Sequence, residues 1–173
     1  MSLTVREKII RQFMTRLSVI TTLNGYGTDL GTKVIRARRS IDDNELPVSV
    51  LWPGPETAKE IYGITQCSMM LRVEGLALFG SENPSEVSER ILGDLIKCVM
   101  AKTWTRDPEL VTDIYYREGG TETYPEEGQV AVGAYADFAV TYETDLGETE
   151  YEPQGEISET VGLSGSKAGE IEE

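Results

Sequence analysis

Two cysteines, a pair of adjacent glutamates, a glycine-rich loop and a cluster of arginines are the residues of this sequence with chemical potential, and histidine is absent. Without histidine there is no Ser-His-Asp or Cys-His nucleophile, and most zinc chemistry is gone as well. Cys67 and Cys98 lack a CxxC spacing, and each falls on the apolar stripe of its element, so both read as small core hydrophobes rather than nucleophiles. Glu126-Glu127 could serve glycoside hydrolysis only if two acids faced each other across a cleft, and here they lie in a glycine-flanked turn. Gly25-Tyr26-Gly27 has Leu30 where the third glycine of a dinucleotide loop belongs, and it follows a helix instead of a strand. The expectation is a protein that is not an enzyme, with no cofactor and no metal.

Arg36, Arg38 and Arg39 form the one dense basic cluster. It can be a solvated edge strand whose charge guards against aggregation. It can equally pair with acidic loops of a neighbouring subunit, with Glu122, Glu126 and Glu127 as the candidates, or bind phosphate. Head-to-tail pairings of the second kind close into a ring when the rotation between neighbours divides a full turn. Trp52, Tyr62 and Trp104 flank loops, where aromatic residues either anchor an interface or cap the core.

These residues must be positioned by a small set of elements. Thr4 and Glu7 make a T-x-x-E capping pattern. After them Val5, Ile9, Phe13, Leu17 and Ile20 recur at helical spacing, widened by Ile10 and Met14, until Asn24-Gly25 ends the helix. Strands are predicted over Lys33–Arg39, over Val48–Trp52 (closed by Pro53-Gly54-Pro55) and over Gln66–Phe79, where Gly75 marks a bulge or bend. Asn83, Pro84 and Glu86 announce a second helix carrying Val87, Ile91, Leu95 and Cys98 on one stripe. A strand around Val111–Arg117 and a Gly119–Gly128 loop lead to the strongest strand, in which Val130 to Tyr142 keep period two. At about 3.3 Å per residue that strand must bend or overhang the sheet. The order α-β-β-β-α-β-β predicts an α+β fold: two helices on one face of a mostly antiparallel sheet. The other face would show Tyr135, Asp137 and Thr141.

The formal net charge of the 173 residues is −14, unevenly spread. Residues 1–40 carry eight Lys or Arg against Glu7 and Asp29, a net of +6, and the remainder nets −20. An acidic surface cannot release counterions from DNA, which argues against tight nucleic-acid binding but not against DNA sliding past. Met1–Ile20 has arginines and a lysine throughout and no apolar stretch of signal-peptide type. No run approaches the roughly 20 apolar residues of a membrane span, so a soluble chain from a reducing compartment is expected. Residues 148–173 are acidic and low in complexity. Such a segment cannot order by itself, and Ile157, Val161 and Leu163 are its candidate docking residues.

Three segments resemble the tail terminator (tail completion) proteins of long-tailed bacteriophages. They are the basic N-terminal helix running into a Gly-Tyr loop and an Arg-bearing strand; Leu46-Pro47-Val48-Ser49-Val50-Leu51-Trp52; and Glu118-Gly119-Gly120 with Tyr124-Pro125-Glu126-Glu127-Gly128 and the strand ending Val140-Thr141-Tyr142-Glu143-Thr144. The resemblance covers about residues 3–147, so the chain divides into a tail-terminator-like domain at 1–147 and an extension at 148–173. It implies a homo-oligomer, a hexameric ring, at the head-proximal end of the tail tube. Such a ring ends tube polymerisation, offers a head-tail joining surface to connector and neck proteins, and lets phage DNA pass through its lumen without specific binding. The implied location is the virion neck, assembled in the host cytoplasm, with no membrane. An acidic inhibitor module directed at a basic host protein, and another neck or baseplate ring protein, are the competing readings.

Overall fold

A computed structural model describes residues 3–38, 40–101, 110–121 and 128–144. Helix α1 (Val5–Leu17) begins where Thr4 Oγ1 accepts from the Glu7 amide at 3.1 Å. Only that half of the expected capping box forms, because the Glu7 carboxylate turns to Arg36 and Arg11. The helix ends at Leu17, earlier than the periodicity predicts. Val19 and Ile20 donate three residues back, to Arg16 and Leu17, and this tightening swings the fully buried Ile20 inward without a further α-turn. Gly31 closes the connection, its amide donating to the Ile20 carbonyl at 2.7 Å. A Cβ there would stand 2.5 Å from the Ser18 carbonyl oxygen, so this position needs glycine for space.

The remaining elements are β1 (Val34–Arg36), β2 (Val48–Ile61), β3 (Ile64–Leu78), α2 (Pro84–Met100), β4 (Asp113–Thr121) and β5 (Ala131–Thr144). They form a five-stranded sheet in the order β1-β2-β3-β5-β4, antiparallel except for the β1–β2 pair. The fold is α+β. Both helices cover one face: α2 packs on β3, β4 and β5, and α1 packs on α2, β1 and β2. That face supplies Leu51, Met69, Leu71, Val73, Phe138 and Val140 to a single core with Ile9, Phe13, Leu17, Ile91 and Leu95. Replacing a fully buried Phe13 or Phe138 by alanine in such a core costs about 3–5 kcal/mol.

The strands depart from the sequence pattern in several places. β1 covers only Val34–Arg36 of the expected Lys33–Arg39, because Ala37 turns left-handed with φ of 46°. β2 does not stop at Trp52 but continues to Ile61 through both prolines. The Ser49 amide and the Leu51 carbonyl point at β1, so by alternation the nitrogen of Pro53 faces outward too and removes no bond to β3. A bulge between Pro53 and Glu56 absorbs the extra residue. Gly75 marks no bulge: β3 keeps register with β5 through it, and its lack of a side chain admits Ile91 and Leu30 from the helix side. β4 begins two residues later than expected and incorporates Gly119 and Gly120, with its own register shift between Tyr116 and Glu118. β5 does overhang. β4 accompanies it only to Thr141, whereas β3 pairs with it to Thr144.

Helix α2 starts as its sequence predicts, with Asn83 Oδ1 accepting from the Ser85 amide at 2.9 Å and Pro84 in the first turn. Its far end is tied to α1: Arg16 Nε donates to the Cys98 carbonyl at 2.8 Å, satisfying a carbonyl that the helix end would leave open. Asp94, buried on the same helix, accepts from the Gly27 amide at 3.1 Å and from Thr28 Oγ1 at 2.7 Å. The glycine-rich loop is therefore a structural strap held by a helix carboxylate.

Candidate self-association surface

Among the described residues no α-helix covers the second face of the sheet. In register across it stand Trp52 on β2, Arg72 and Glu74 on β3, and Tyr135 and Asp137 on β5. Trp52 Nε1 donates to Glu74 Oε2 at 3.1 Å. Arg72 grips Asp137 through two bonds of 2.8 Å each, a planar fork on a carboxylate, and its guanidinium lies 4.3 Å from the centroid of the Tyr135 ring. The carboxylate raises the affinity of Arg72 for its proton against the opposing effect of burial. This face is a mesh of paired charges and aromatic rings, with Asp137 only 8% exposed.

At one end of that face a hollow of about 250 Å³ opens, lined by Glu74, Gly75, Leu76, Gly120, Thr121, Gly133, Ala134 and Tyr135. Gly120 is glycine because the Tyr135 ring lies across it: a Cβ would stand 2.9 Å from Tyr135 Cε1. Beside the hollow, Leu78 and Val130 are each about half exposed, where Phe79 donates to the Val130 carbonyl. At the opposite end the β2–β3 hairpin carries Tyr62, wholly exposed, and Ile64, half exposed.

Arg36 and Arg38 of the arginine cluster are engaged within their own chain. Arg36 Nη1 donates to both Glu7 oxygens, at 2.9 and 2.8 Å, and together with Arg11 it holds the Glu7 carboxyl below its ordinary range. Arg38 donates to the Ser40 carbonyl at 2.7 Å and pairs with Glu45, which Lys33 also holds. Lys33 first, then the Asp42 amide and Arg38, bring the Glu45 carboxyl down to about 2. Arg36 and Arg38 stay exposed despite these pairs. Of the other expected residues, Arg39, Trp104, Glu122, Glu126, Glu127, Ile157, Val161 and Leu163 lie outside the described residues. Trp52 is half-buried in the sheet mesh, and Tyr62 is at the hairpin tip.

Both cysteines are buried, and burial pushes each thiol above its ordinary value, away from thiolate reactivity. The two buried carboxylates among the described residues, Asp94 and Asp137, lie on opposite sides of the sheet, each bonded as described, so they cannot work on one substrate. Among the described residues no group of three or more potential metal ligands occurs, and no helix is long and apolar enough to cross a membrane.

A third cluster has no counterpart in the sequence reading. Glu56, just after the β2 bulge, receives Arg6 Nη1 at 2.9 Å and the Tyr142 hydroxyl, while Arg6 Nη2 donates to the Gly54 carbonyl at 2.7 Å. Burial, then the Glu56 carboxylate, push the Tyr142 hydroxyl well above its ordinary value. It pins the start of α1 to the root of the hairpin. No protein-family model matches the chain. No curated protein matches it either.

Proposed function

We propose that this chain is the subunit of a closed ring that caps a phage tail tube, ends its growth and presents the joining surface for the head. One observation carries the reading: exposed apolar groups stand at opposite ends of one sheet, Tyr62 and Ile64 at the hairpin tip and Leu78 and Val130 at the far end. Two unlike patches on one protomer favour head-to-tail contact over a two-fold dimer, and such contacts form rings when they close. The helix-free face, with Arg72 and Asp137 already paired and Glu74 acidic, suits contact with another protein surface better than contact with a polyanion. The resemblance of residues 3–147 to tail terminators supplies the biological setting: a hexamer in the virion neck whose partners are the tail tube and connector proteins, with DNA passing through. In this reading Ile157, Val161 and Leu163 dock on a neighbouring protomer.

Mass photometry and averaged electron micrographs of the purified protein, alone and mixed with tail-tube subunit, test it. Rings of six that sit on tube ends are expected. A protein that stays monomeric at high concentration and never caps tubes overturns the proposal.

A further inference from the structure

We propose that Tyr62 of one protomer seats in the glycine-floored hollow on the open sheet face of a second copy of this chain. The inference rests on the self-assembly reading above and names the contact that would make it. Tyr62 and Gly63 form the two-residue turn between β2 and β3, with φ of 50° and 82°. A turn with both central residues left-handed is the type that Asn-Gly fills at little cost, and a bulky residue in the first position is an outlier. Such strain persists where something else compensates for it. Among the described residues of its own protomer nothing packs against the ring, because Tyr62 is 102% exposed. An aromatic ring held outward on a strained turn is built to meet something beyond the chain.

The hollow has the matching shape. At about 250 Å³ it exceeds the roughly 150 Å³ that receives a benzene ring in a protein interior. Gly133 leaves its floor without a side chain, Gly120 admits the Tyr135 ring beside it, and neither glycine has a left-handed backbone. Leu76 and the Tyr135 ring form its walls, the latter suited to an offset or edge-to-face partner. The rim carries Glu74, and the incoming hairpin carries two exposed charges, Lys59 and Glu60, of which Lys59 is the one complementary to it. The occupant must come from another copy. Strand β3 itself separates the tip from the hollow, and each of its 15 residues spans about 3.3 Å.

Two variants of the full chain test the contact. Asn favours the left-handed turn, so Tyr62→Asn should fold with an equal or higher thermal midpoint while self-association weakens about 30-fold, the scale of an anchor residue. Tyr62→Cys combined with Thr121→Cys should yield diamide-dependent covalent oligomers, and neither single substitution should do so. A wild-type oligomer that Tyr62→Asn leaves intact, or a double-cysteine protein that never cross-links between chains, overturns the inference and leaves the ring standing. A two-fold dimer that depends on Tyr62 supports the inference and overturns the ring. A wild-type protein that is always monomeric overturns both.

Discussion

Arg72 and Asp137 face each other in register on β3 and β5, joined by two bonds of 2.8 Å, yet they are unequal partners. The arginine side chain is 43% exposed and the aspartate 12%. Removing the arginine strands a nearly buried carboxylate, whereas removing the charge on the aspartate leaves a guanidinium that can turn to water. Arg72→Met should therefore destabilise by about 2–3 kcal/mol and Asp137→Asn by about 1 kcal/mol. Chemical denaturation of both variants checks the order. Equal losses would mean that the pair is solvated on both sides.

Gly75 offers a test of packing. A Cβ there would lie 2.6 Å from Ile91 Cγ2 and 2.9 Å from Leu30 Cδ1, both side chains of the buried core. Gly75→Ala should cost about 1–3 kcal/mol through overcrowding. The added substitution Ile91→Ala, which alone opens a cavity, should cost less in the Gly75→Ala background than in the wild type. A thermodynamic cycle of the four proteins reads this coupling, and strict additivity would refute it.

Acid should act through Glu45. Its carboxyl titrates at about 2 in the folded chain, below its ordinary value of 4.5, because Lys33 and Arg38 favour the charged form. The folded-state value is depressed, so the stabilisation is present above the unfolded value and fades as pH falls from about 4.5 towards 2. Following the Glu45 carboxyl carbon by NMR should place its midpoint near the lower figure. Glu45→Gln should flatten stability across that window.

Deleting residues 148–173 should leave the fold intact, because the core draws on no residue beyond Tyr142 among those described. If Ile157, Val161 and Leu163 dock on a neighbour, the truncated chain should keep its thermal midpoint as a protomer but lose assembly yield. Unchanged yield would separate the extension from ring formation.

Much of the scaffold is legible in the residues. The Thr4 and Asn83 caps, the helical spacing of Ile9, Phe13, Ile91 and Leu95, and the period of two along β5 are local signals that burial then obeys. What escaped depends on partners distant in the chain. Proline at position 53 reads as a terminator until the direction of its nitrogen is known, and that direction is set by β1. Gly75 reads as a bulge because its reason, Ile91, lies on another element. Tyr62 and Trp52 can be singled out by type alone. The hollow cannot, since its floor and walls come from three strands brought into register only by folding. A run such as Gly119-Gly120 beside a strand is its one trace in the sequence, and by residue type alone that run reads as loop.

The prolines of β2 have a consequence for how copies of this chain can add to one another. Pro53 and Pro55 present no amide hydrogen, and Arg6 already occupies the Gly54 carbonyl, so a foreign strand laid along this border finds neither proline able to donate to it. Only the short stretch from Glu56 to Ile61 could zip to a newcomer. Endless ribbon growth is thereby discouraged at this margin, and the proposed ring is left to form by faces and projections, which can be made to stop at a fixed number.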